Sequence, residues 1–323
     1  MKIVILDASA ANPGDLSWAR FEEFGEVIPY DTTSPDQLID RAKDAEILFT
    51  NKTVFDKKVF ASLPKLRYIG VLATGFNVVD LEEASAHGIT VTNVPEYATF
   101  ATAQMAVALL LELTNRVGMH ERSVKNGDWT RSPQFCYTLS PMTELYNKTA
   151  AVIGMGKIGQ RVALMLRSFG MNVIAVPHKP SEHIDIEGIR FECSTLEEAA
   201  KKADVLTFHC PLTPETKGII SEDLISSLKN GAMIINTARG PMADEVAVCN
   251  ALKSGKLRGY AADVVSVEPM AKDSPFLELK DCDNLVLTPH TAWAPKETRA
   301  RLLDIAYDNL KAFLNGETIN KVN

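Results

Sequence analysis

The sequence predicts an α/β protein built from two doubly wound parallel sheets, and three observations lead to that prediction. The chain has 323 residues, more than a single hydrophobic core usually organises, so two domains are expected. Short runs of β-forming residues alternate with amphipathic stretches from end to end, which is typical of parallel strands joined by crossover helices. A glycine-rich turn also stands between a strand-like and a helix-like segment near the middle of the chain.

The composition is that of an ordinary globular protein, with 46% hydrophobic and 23% charged residues. The net charge of −7 provides no basic surface for nucleic acid. No apolar run approaches the roughly 20 residues that span a bilayer, and the N-terminal apolar stretch is too short for a signal peptide. We therefore expect a cytoplasmic protein with neither nucleic acid nor membrane as a partner.

The five cysteines are odd in number, widely spread and free of any C-x-x-C pair. This pattern argues against a disulfide framework and against a zinc site, so no metal is expected. We expect most of them to be buried thiols. They are Cys136, Cys193, Cys210, Cys249 and Cys282.

The first hundred residues contain five candidate strands separated by helix-like segments. The strand candidates are KIVILD, EVIPY, AEILFT, LRYIGVL and ITVTNV. The segments SPDQLIDRAKD and VVDLEEASAHG predict helices, the second ending at Gly88 as a C-cap. These alternating strands and helices predict the first sheet.

A second series of candidate strands follows residue 148 and predicts the second sheet. Its strands are TAAVIGMG, NVIAV, DVLTFHC, AMIINTA, GYAADVV and NLVLTPH. Cap residues mark its helices: Thr195 with Glu198, Ser221 and Asp244 at N-termini, and Gly170 and Gly255 at C-termini.

Two long helices and one irregular segment decide the domain boundaries. The segment TFATAQMAVALLLELTNR is apolar around most of its circumference, which fits a helix buried between domains or an ordinary core helix of one domain. Residues 118–148 are expected to form an extended loop. The last helix, KETRARLLDIAYDNLKAFLNG, can fold back onto the first domain. We therefore expect a discontinuous domain of residues 1–100 plus 295–323 and a second domain of residues 101–294.

The glycine-rich turn predicts a dinucleotide site because of its context. In TAAVIGMGKIGQRVALMLRSFG a strand is followed by three spaced glycines and then by an amphipathic helix. Gly154 permits the tight turn, Gly156 lets a pyrophosphate approach the backbone, and Gly159 lets helix and strand pack closely. The alternative is that the glycines serve only the turn. The dinucleotide interpretation predicts a Rossmann domain whose helix N-terminus faces the phosphates.

Charged side chains follow three further strands of the same series. Arg239 comes directly after AMIINTA, Asp263 lies within GYAADVV with Glu268 three residues beyond that segment, and His290 ends NLVLTPH. Reduction of a 2-keto acid needs a cation for the carboxylate and a proton for the forming alkoxide, which an arginine and a histidine paired with a carboxylate can supply. A lone strand-end histidine is more often structural than catalytic, but the combination is far more specific.

These residues carry a resemblance to a known family. NTARG, DVVSVEP and TPHTAW, following GMGKIG in that order, resemble the D-isomer-specific 2-hydroxyacid dehydrogenase family over essentially the whole chain. NPGDLSWARFEEFGEV, VLATGFNVVD, RSPQFCY and PHTAWAP are similar to its hydroxypyruvate reductase (glycerate dehydrogenase) group. The resemblance implies a Rossmann NAD(P)-binding domain, a flavodoxin-like substrate domain, and a homodimer with contacts after Thr99 and after Gly118.

The resemblance also implies roles for individual residues. Arg239 binds the substrate carboxylate and carbonyl, His290 is the acid/base, and Glu268 pairs with His290. Asp263 contacts the nicotinamide carboxamide, and Thr237 and Ala238 line its ribose. The backbone of Leu72, Ala73, Thr74 and Gly75 holds the substrate carboxylate from the other domain. Further cofactor contacts are expected at Met155, Lys157, Ile158, Cys210, Pro211, Thr216 and Ala292.

One position departs from the pattern of dinucleotide sites. About 20 residues beyond the glycine turn an acid usually holds the ribose 2′-hydroxyl, but this sequence has Pro177 followed by His178 and Lys179. Without the acid a 2′-phosphate is no longer repelled, so we expect NADP(H) to be accepted, with NAD(H) not excluded. The alternative is a solvated basic turn. Ala292 also stands where many relatives have glycine.

The leading hypothesis is therefore an enzyme. It reduces a small 2-keto acid, hydroxypyruvate or glyoxylate, to D-glycerate or glycolate with NAD(P)H as cofactor. The alternative from a different class is a non-catalytic, nucleotide-sensing regulator on the same fold, which the three charged residues alone do not exclude. Action on formate or phosphite is a third possibility, disfavoured by the flanking segments.

Overall fold

The computed structural model describes residues 1–323 and divides into two compact units. One comprises Met1–Ala98 together with Trp293–Asn323, and the other Thr99–Ala292. The first unit is thus discontinuous in sequence, since its last helix follows the whole of the second unit. No helix meets the length and hydropathy needed to cross a membrane.

Thirteen strands and twelve α-helices make up the two units. The strands are β1 Lys2–Ile5, β2 Glu26–Pro29, β3 Ile47–Thr50, β4 Tyr68–Val71, β5 Thr90–Thr92, β6 Thr149–Ile153, β7 Asn172–Val176, β8 His183–Ile186, β9 Ile189–Cys193, β10 Val205–Phe208, β11 Ala232–Asn236, β12 Leu257–Ala262 and β13 Leu285–Leu287. The helices are α1 Ala8–Ala11, α2 Pro35–Ala42, α3 Lys57–Ala61, α4 Leu81–Ala86, α5 Thr99–Asn115, α6 Val117–Lys125, α7 Asp128–Arg131, α8 Lys157–Ser168, α9 Leu196–Lys202, α10 Glu222–Ser227, α11 Glu245–Lys253 and α12 Lys296–Leu314.

The first unit is a five-stranded parallel sheet in the order β2-β1-β3-β4-β5. β3 and β4 are buried along their whole length, as expected for parallel strands covered on both faces. On one face Leu302, Ala306 and Leu310 of α12 pack with Ile3 and Phe49 of the sheet in a single apolar cluster. The last helix therefore folds back onto the first sheet.

The second unit is an eight-stranded sheet in the order β13-β12-β11-β10-β6-β7-β9-β8, parallel except for β8. The parallel strands of this sheet are joined by helices, which is the doubly wound arrangement that the alternating pattern predicted. The predicted N-caps are confirmed: the side chains of Thr195, Ser221 and Asp244 accept backbone N–H hydrogen bonds at the starts of α9, α10 and α11.

The hairpin of β8 and β9 was missed by the sequence reading. Its two-residue turn is Glu187-Gly188, both in the left-handed region at φ 52° and 81°. Such turns are usually signalled by Asn-Gly or Asp-Gly, and a glutamate at positive φ gives no comparable signal. The hairpin extends the sheet next to β7.

The predicted loop of residues 118–148 is wrong in its first part. Residues 117–125 form α6 and residues 128–131 form α7, and only the segment 132–148 lacks helix and strand. Both helices are short, and Ser123 is the one fully buried residue of the two. Because they bury no apolar stripe, the sequence carried no helical period there.

Helix α5 packs as a core helix of the second unit. Ala103, Ala106, Leu109, Leu110 and Leu113 are buried in one cluster with strand residues of the eight-stranded sheet. Gly259 of β12 makes room for this helix, since a Cβ there would lie 2.8 Å from a methyl carbon of Leu113. The structure thus supports the second of the two interpretations of this segment.

The expectation that most cysteines are buried is wrong. Only Cys249 is buried, Cys193 and Cys210 are partly exposed, and Cys136 and Cys282 are exposed. All five are free thiols. No group of three or more His, Cys, Asp and Glu side chains is arranged to hold a metal ion.

Candidate active site

The carboxyl ends of six strands of the second unit stand side by side. In the sheet register their terminal residues pair in series: Val176 with Ile153, Ile153 with Phe208, Phe208 with Asn236, Asn236 with Ala262, and Ala262 with Leu287. The residues that follow them are therefore brought to one edge of the sheet, where open α/β sheets bind ligands. That edge carries the predicted glycine turn, Thr237, Asp263 and the loop with His290.

The glycine turn has the geometry that a pyrophosphate needs. Gly154 lies at φ 90°, and a Cβ there would come within 2.6 Å of the Cys210 backbone nitrogen. A Cβ on Gly159 would lie 1.9 Å from the Gly154 carbonyl oxygen. Around Gly156, the N-cap of α8, no atom lies within 4 Å of the Cβ position, so the backbone is open to an approaching group. These residues fit a dinucleotide phosphate at a helix N-terminus.

Asn236 shapes the turn that carries Arg239. It is fully buried at the end of β11; its side-chain oxygen accepts from Ala238 N at 3.0 Å, and its Nδ2 donates to the Arg239 carbonyl at 3.0 Å. The Arg239 guanidinium is exposed and donates to the Ala238 carbonyl oxygen at 2.8 Å. Asn236 was not among the predicted site residues, although an asparagine directly before a strand-end turn is a signal for side-chain bonding to the backbone.

His290 and Glu268 form a direct pair. Nδ1 of His290 lies 2.7 Å from Oε2 of Glu268, and about one third of each side chain is exposed. His290 has φ 54°, a left-handed conformation that is uncommon outside glycine and often found at functional sites. Because Nδ1 faces the carboxylate, Nε2 is the ring atom that can exchange a proton with a substrate.

Asp263 organises the loop that holds His290. Its carboxylate is almost completely buried and accepts from the Thr288 hydroxyl at 2.5 Å, from Thr291 N at 2.8 Å and from Ala292 N at 2.8 Å. The role predicted for this aspartate was only a contact with the nicotinamide. Because these donors come from both sides of His290, Asp263 has a second task, which is to fix the backbone of the histidine loop.

His209 connects the ends of β10 and β11. Its Nε2 lies 2.8 Å from the hydroxyl of Thr207, and its Nδ1 lies 3.4 Å from that of Thr237, the residue expected at the ribose. Desolvation by burial lowers the pKa of His209 to about 3. The ring is therefore neutral at physiological pH and serves as a hydrogen-bonding link rather than as a charge.

His209→Gln is expected to flatten the acid side of the stability curve. The pKa of His209 falls from 6.5 in the unfolded chain to about 3 when folded, so its neutral form adds stability above pH 6.5 that is lost as pH falls toward 3. Glutamine takes up no proton, so the dependence of unfolding free energy on pH between 6 and 4 should weaken by up to about 1.4 kcal/mol per pH unit. Urea titrations at several pH values, with the exposed His87→Gln as control, measure this; equal slopes in wild type and His209→Gln would contradict it.

The loop after β7 and the loop after β10 lie near each other. His178 and Lys179 are exposed beyond the end of β7. The pKa of Glu215 is lowered chiefly by a hydrogen bond from the Thr213 side chain, with a further contribution from the charge of His178. Thr216 closes the second loop by donating to the Pro211 carbonyl at 2.7 Å. Both loops follow strands that flank β6, so they lie at the same edge of the sheet.

The predicted substrate loop belongs to the first unit. Leu72 directly follows β4, and its N–H donates to the Thr50 carbonyl at 2.7 Å. Leu72 is buried, Ala73 and Gly75 are partly exposed, and Thr74 is exposed. The loop therefore leaves the buried end of a central strand and emerges at the surface of its own unit.

Fold and site together define a class of protein. A doubly wound unit with a glycine turn that fits a pyrophosphate, and with an arginine and a histidine–glutamate pair at its strand ends, is the arrangement of a nicotinamide-dependent dehydrogenase. Residues 107–292 match the family model described as D-isomer specific 2-hydroxyacid dehydrogenase, NAD binding domain.

Comparison with whole proteins extends this match over the full chain. The chain is 44% identical to a hydroxypyruvate reductase of Blautia hydrogenotrophica, with 100% of both covered, and 37% identical to a glycerate dehydrogenase of Methylorubrum extorquens, with 99% of this chain and 98% of the relative covered. The structure superposes on D-lactate dehydrogenase from Escherichia coli with a TM-score of 0.86 and 29% identity, covering 100% of both chains. The chain belongs to the D-isomer specific 2-hydroxyacid dehydrogenase family and is a nicotinamide-dependent oxidoreductase.

Proposed function

We propose that the protein catalyses the reversible, NAD(P)H-dependent reduction of hydroxypyruvate or glyoxylate to D-glycerate or glycolate. The observation that carries the proposal is the 2.7 Å pair of Glu268 with His290, whose loop Asp263 fixes at the ends of the strands. The similarity to a hydroxypyruvate reductase and a glycerate dehydrogenase over the whole chain supports the substrate. Hydroxypyruvate and glyoxylate are short acids with one negative charge, which the exposed guanidinium of Arg239 can bind.

The cofactor supplies the hydride, and the protein supplies charge, orientation and the proton. The Arg239 guanidinium binds the substrate carboxylate and carbonyl through its fork of N–H donors, which fixes the carbonyl face. Protonated His290 donates from Nε2 to the carbonyl oxygen as the hydroxyl forms, and in the reverse direction neutral His290 accepts that proton. Glu268 stabilises the charged imidazole through Nδ1.

The two units divide the binding tasks. Residues 101–294 form the dinucleotide-binding domain, and residues 1–100 with 295–323 form the substrate domain. The N–H groups from Gly154 to Gly159 bind the pyrophosphate, and Met155, Lys157 and Ile158 belong to this turn. Cys210, Pro211 and Thr216 line the adenosine side, Thr237 and Ala238 the nicotinamide ribose, and Asp263 and Ala292 the nicotinamide. In the substrate domain the amides from Leu72 to Gly75 bind the carboxylate.

The loop after β7 sets the choice between NADP(H) and NAD(H). Pro177 replaces the acid that would repel a 2′-phosphate, and His178 and Lys179 are exposed beside it. These side chains favour a phosphate over a hydroxyl, so NADP(H) is accepted and slightly preferred.

Pro177→Asp is expected to reverse that preference. A carboxylate at this position accepts from the ribose 2′-hydroxyl of NADH and repels the 2′-phosphate of NADPH, which should move the ratio of kcat/KM values toward NADH by roughly tenfold or more. Pro177→Asn, of the same shape without the charge, is the matched control. A ratio that moves equally in both variants would assign the effect to loss of proline, and an unchanged ratio in both would return this loop to a solvated turn.

A homodimer is the proposed assembly. Eight of the nineteen large hydrophobic side chains that are exposed lie between residues 100 and 146, which is a short part of the chain. They are Phe100, Val117, Val124, Trp129, Phe135, Leu139, Met142 and Tyr146. Large apolar side chains exposed along one segment become buried when that segment contacts a second copy of the chain, which supports the dimer. Sedimentation equilibrium should give twice the 35.4 kDa mass of the chain, and a mass of 35.4 kDa at micromolar concentration would refute the dimer.

The configuration of the product tests the proposed reaction. Hydroxypyruvate reduced to completion by the protein with NADPH should give D-glycerate, as resolved by chiral chromatography against both enantiomers. Controls omit protein or replace it with heat-denatured protein. Formation of L-glycerate, or of a racemate above the uncatalysed background, would contradict the assignment of the carbonyl face to Arg239 and His290.

A further inference from the structure

We propose that four asparagine side chains position the backbone amides of Ala73, Thr74 and Gly75 for the substrate carboxylate. The four are Asn51, Asn93, Asn309 and Asn320, all in the first unit. The inference rests on the proposed function, because it takes this loop as the carboxylate site. It assigns to residues outside the loop the task of setting its orientation.

Three successive carbonyls of the loop are tied to the interior of the unit. The Leu72 carbonyl accepts from Asn51 Nδ2 at 2.6 Å and the Thr74 carbonyl from Asn93 Nδ2 at 2.8 Å. Between them the Ala73 carbonyl accepts from the backbone N–H of Val94 at 3.0 Å. Each of the three peptide groups in this turn therefore has its oxygen fixed.

Fixing the oxygens also fixes the N–H groups. A trans peptide is planar, with its N–H pointing opposite to its carbonyl. With the carbonyls of residues 72, 73 and 74 directed to interior donors, the N–H groups of Ala73, Thr74 and Gly75 point away from those donors. Successive N–H groups exposed in this way form a concavity of positive partial charge that binds a carboxylate.

A second layer holds Asn93 in place. Its N–H donates to the Asn320 carbonyl at 3.1 Å, and its own carbonyl accepts from Asn309 Nδ2 at 2.8 Å. Asn320 Nδ2 in turn donates to Asn309 Oδ1 at 2.8 Å. Asn93 and Asn309 are 8% and 1% exposed, so this closed set of bonds is shielded from water. The segment after α12 is thereby linked to the loop.

Asn51 is held from the opposite side by Asp7. Oδ1 of Asp7 accepts from Asn51 N at 2.7 Å, and Oδ2 accepts from Lys52 N at 2.6 Å. The aspartate follows β1 and the asparagine follows β3, which are neighbours in the sheet. The backbone of Asn51 is thus fixed before its side chain reaches Leu72.

The chemistry explains why these side chains are amides. A backbone carbonyl can only accept, so its partner must donate, which the amide nitrogen does and a carboxylate or an alkyl group does not. Aspartate has the same shape but would set oxygen against oxygen, and leucine fills the volume without a donor. Both changes therefore release the carbonyl that orients the loop.

Asn93→Leu and Asn93→Asp test the proposal together. Each is expected to raise KM for hydroxypyruvate about tenfold, the effect of one lost buried hydrogen bond, while kcat and the dissociation constant of NADPH change less than twofold. The leucine variant separates lost orientation from added charge. The matched control is Asn172→Asp, because Asn172 also donates to a backbone carbonyl, that of Asn147 at 3.3 Å, but on the exposed surface of the other unit. A general loss of structure would instead lower kcat and weaken NADPH binding in addition to any change in KM.

Asn320→Ala carries the test if the Asn93 variants fail to fold. Asn320 is partly exposed, and the substitution removes its side-chain bond to Asn309. A KM about threefold above wild type is expected. The melting temperature should fall slightly, because alanine tolerates the left-handed φ of 53° at this position less well than asparagine. Unchanged KM in every folded variant of Asn93 and Asn320, in an active enzyme, would overturn the proposal.

A direct measurement distinguishes failure of this inference from failure of the proposed function. In amide NMR spectra of the wild type, titration with oxamate should shift the N–H signals of Ala73, Thr74 and Gly75, and the same titration of Asn320→Ala should need more oxamate. Absence of turnover with every keto acid would refute the proposed function while leaving these shifts as evidence for the anion site. Absence of the shifts in wild type would overturn the inference, whatever the activity.

Discussion

Arg239→Ala is expected to lower kcat/KM for hydroxypyruvate by roughly 10²- to 10³-fold, which corresponds to the 2–5 kcal/mol usual for loss of one partner of a desolvated charge pair. The exposed guanidinium makes no ion pair, and its one hydrogen bond is to the adjacent carbonyl of Ala238. Its charge is therefore available to a substrate carboxylate. Because Asn236 fixes the turn through backbone groups, the turn should survive the change, and the dissociation constant of NADPH should change less than twofold.

Arg239→Lys separates charge from geometry. Lysine keeps the positive charge but loses the planar fork, so only part of the lost kcat/KM should return. Arg167→Ala, near the end of α8, is the control for removal of an exposed arginine that donates to a backbone carbonyl, that of Met171 at 3.5 Å. Initial rates over a range of hydroxypyruvate concentrations give kcat and KM separately. A normal KM in Arg239→Ala would show that another group binds the carboxylate.

His290→Ala is expected to reduce kcat by roughly 10²- to 10⁴-fold, the usual contribution of a positioned acid/base, with little change in KM or in NADPH binding. The companion variant Glu268→Gln removes the anion 2.7 Å from Nδ1. The charged imidazole loses its stabilising partner, so the alkaline limb of the rate of reduction should move to lower pH. Rates measured from pH 5 to 10 with saturating hydroxypyruvate and NADPH give both results.

Two outcomes would contradict this assignment of the proton donor. Full activity in His290→Ala would move the role to another group, and an unchanged pH profile in Glu268→Gln would show that the pair has no part in proton transfer. His87→Ala, at the exposed end of α4, controls for the loss of a histidine elsewhere. Melting temperatures of all variants establish that the differences arise in a folded protein.

Much of the fold was predictable because parallel strands and capped helices leave local signals. β3 and β4 are continuous apolar runs, and Ser221 and Asp244 stand directly before the helices they cap. The hairpin of β8 and β9 and the helices α6 and α7 lack such signals. The turn of the hairpin contains a glutamate at positive φ, which is an unusual turn residue. Helices α6 and α7 bury almost no side chains, so they show no apolar period.

At the site, the residues that end strands were predictable but the contacts among them were not. The order of Arg239, Glu268 and His290 could be read directly, since each follows a strand of the same sheet. The hydrogen bonds from the histidine loop to Asp263, and the asparagine contacts to Leu72 and Thr74, join segments distant in sequence. Spacing along the chain contains no information on such contacts, which depend on tertiary structure.

The loss of nicotinamide absorbance on mixing the purified protein with hydroxypyruvate, in parallel with NADH and NADPH, tests the central claim most directly. We expect turnover with both cofactors and a higher kcat/KM with NADPH. Measurable cofactor binding without turnover of hydroxypyruvate, glyoxylate or pyruvate would contradict the claim and favour a nucleotide-sensing regulator on the same fold.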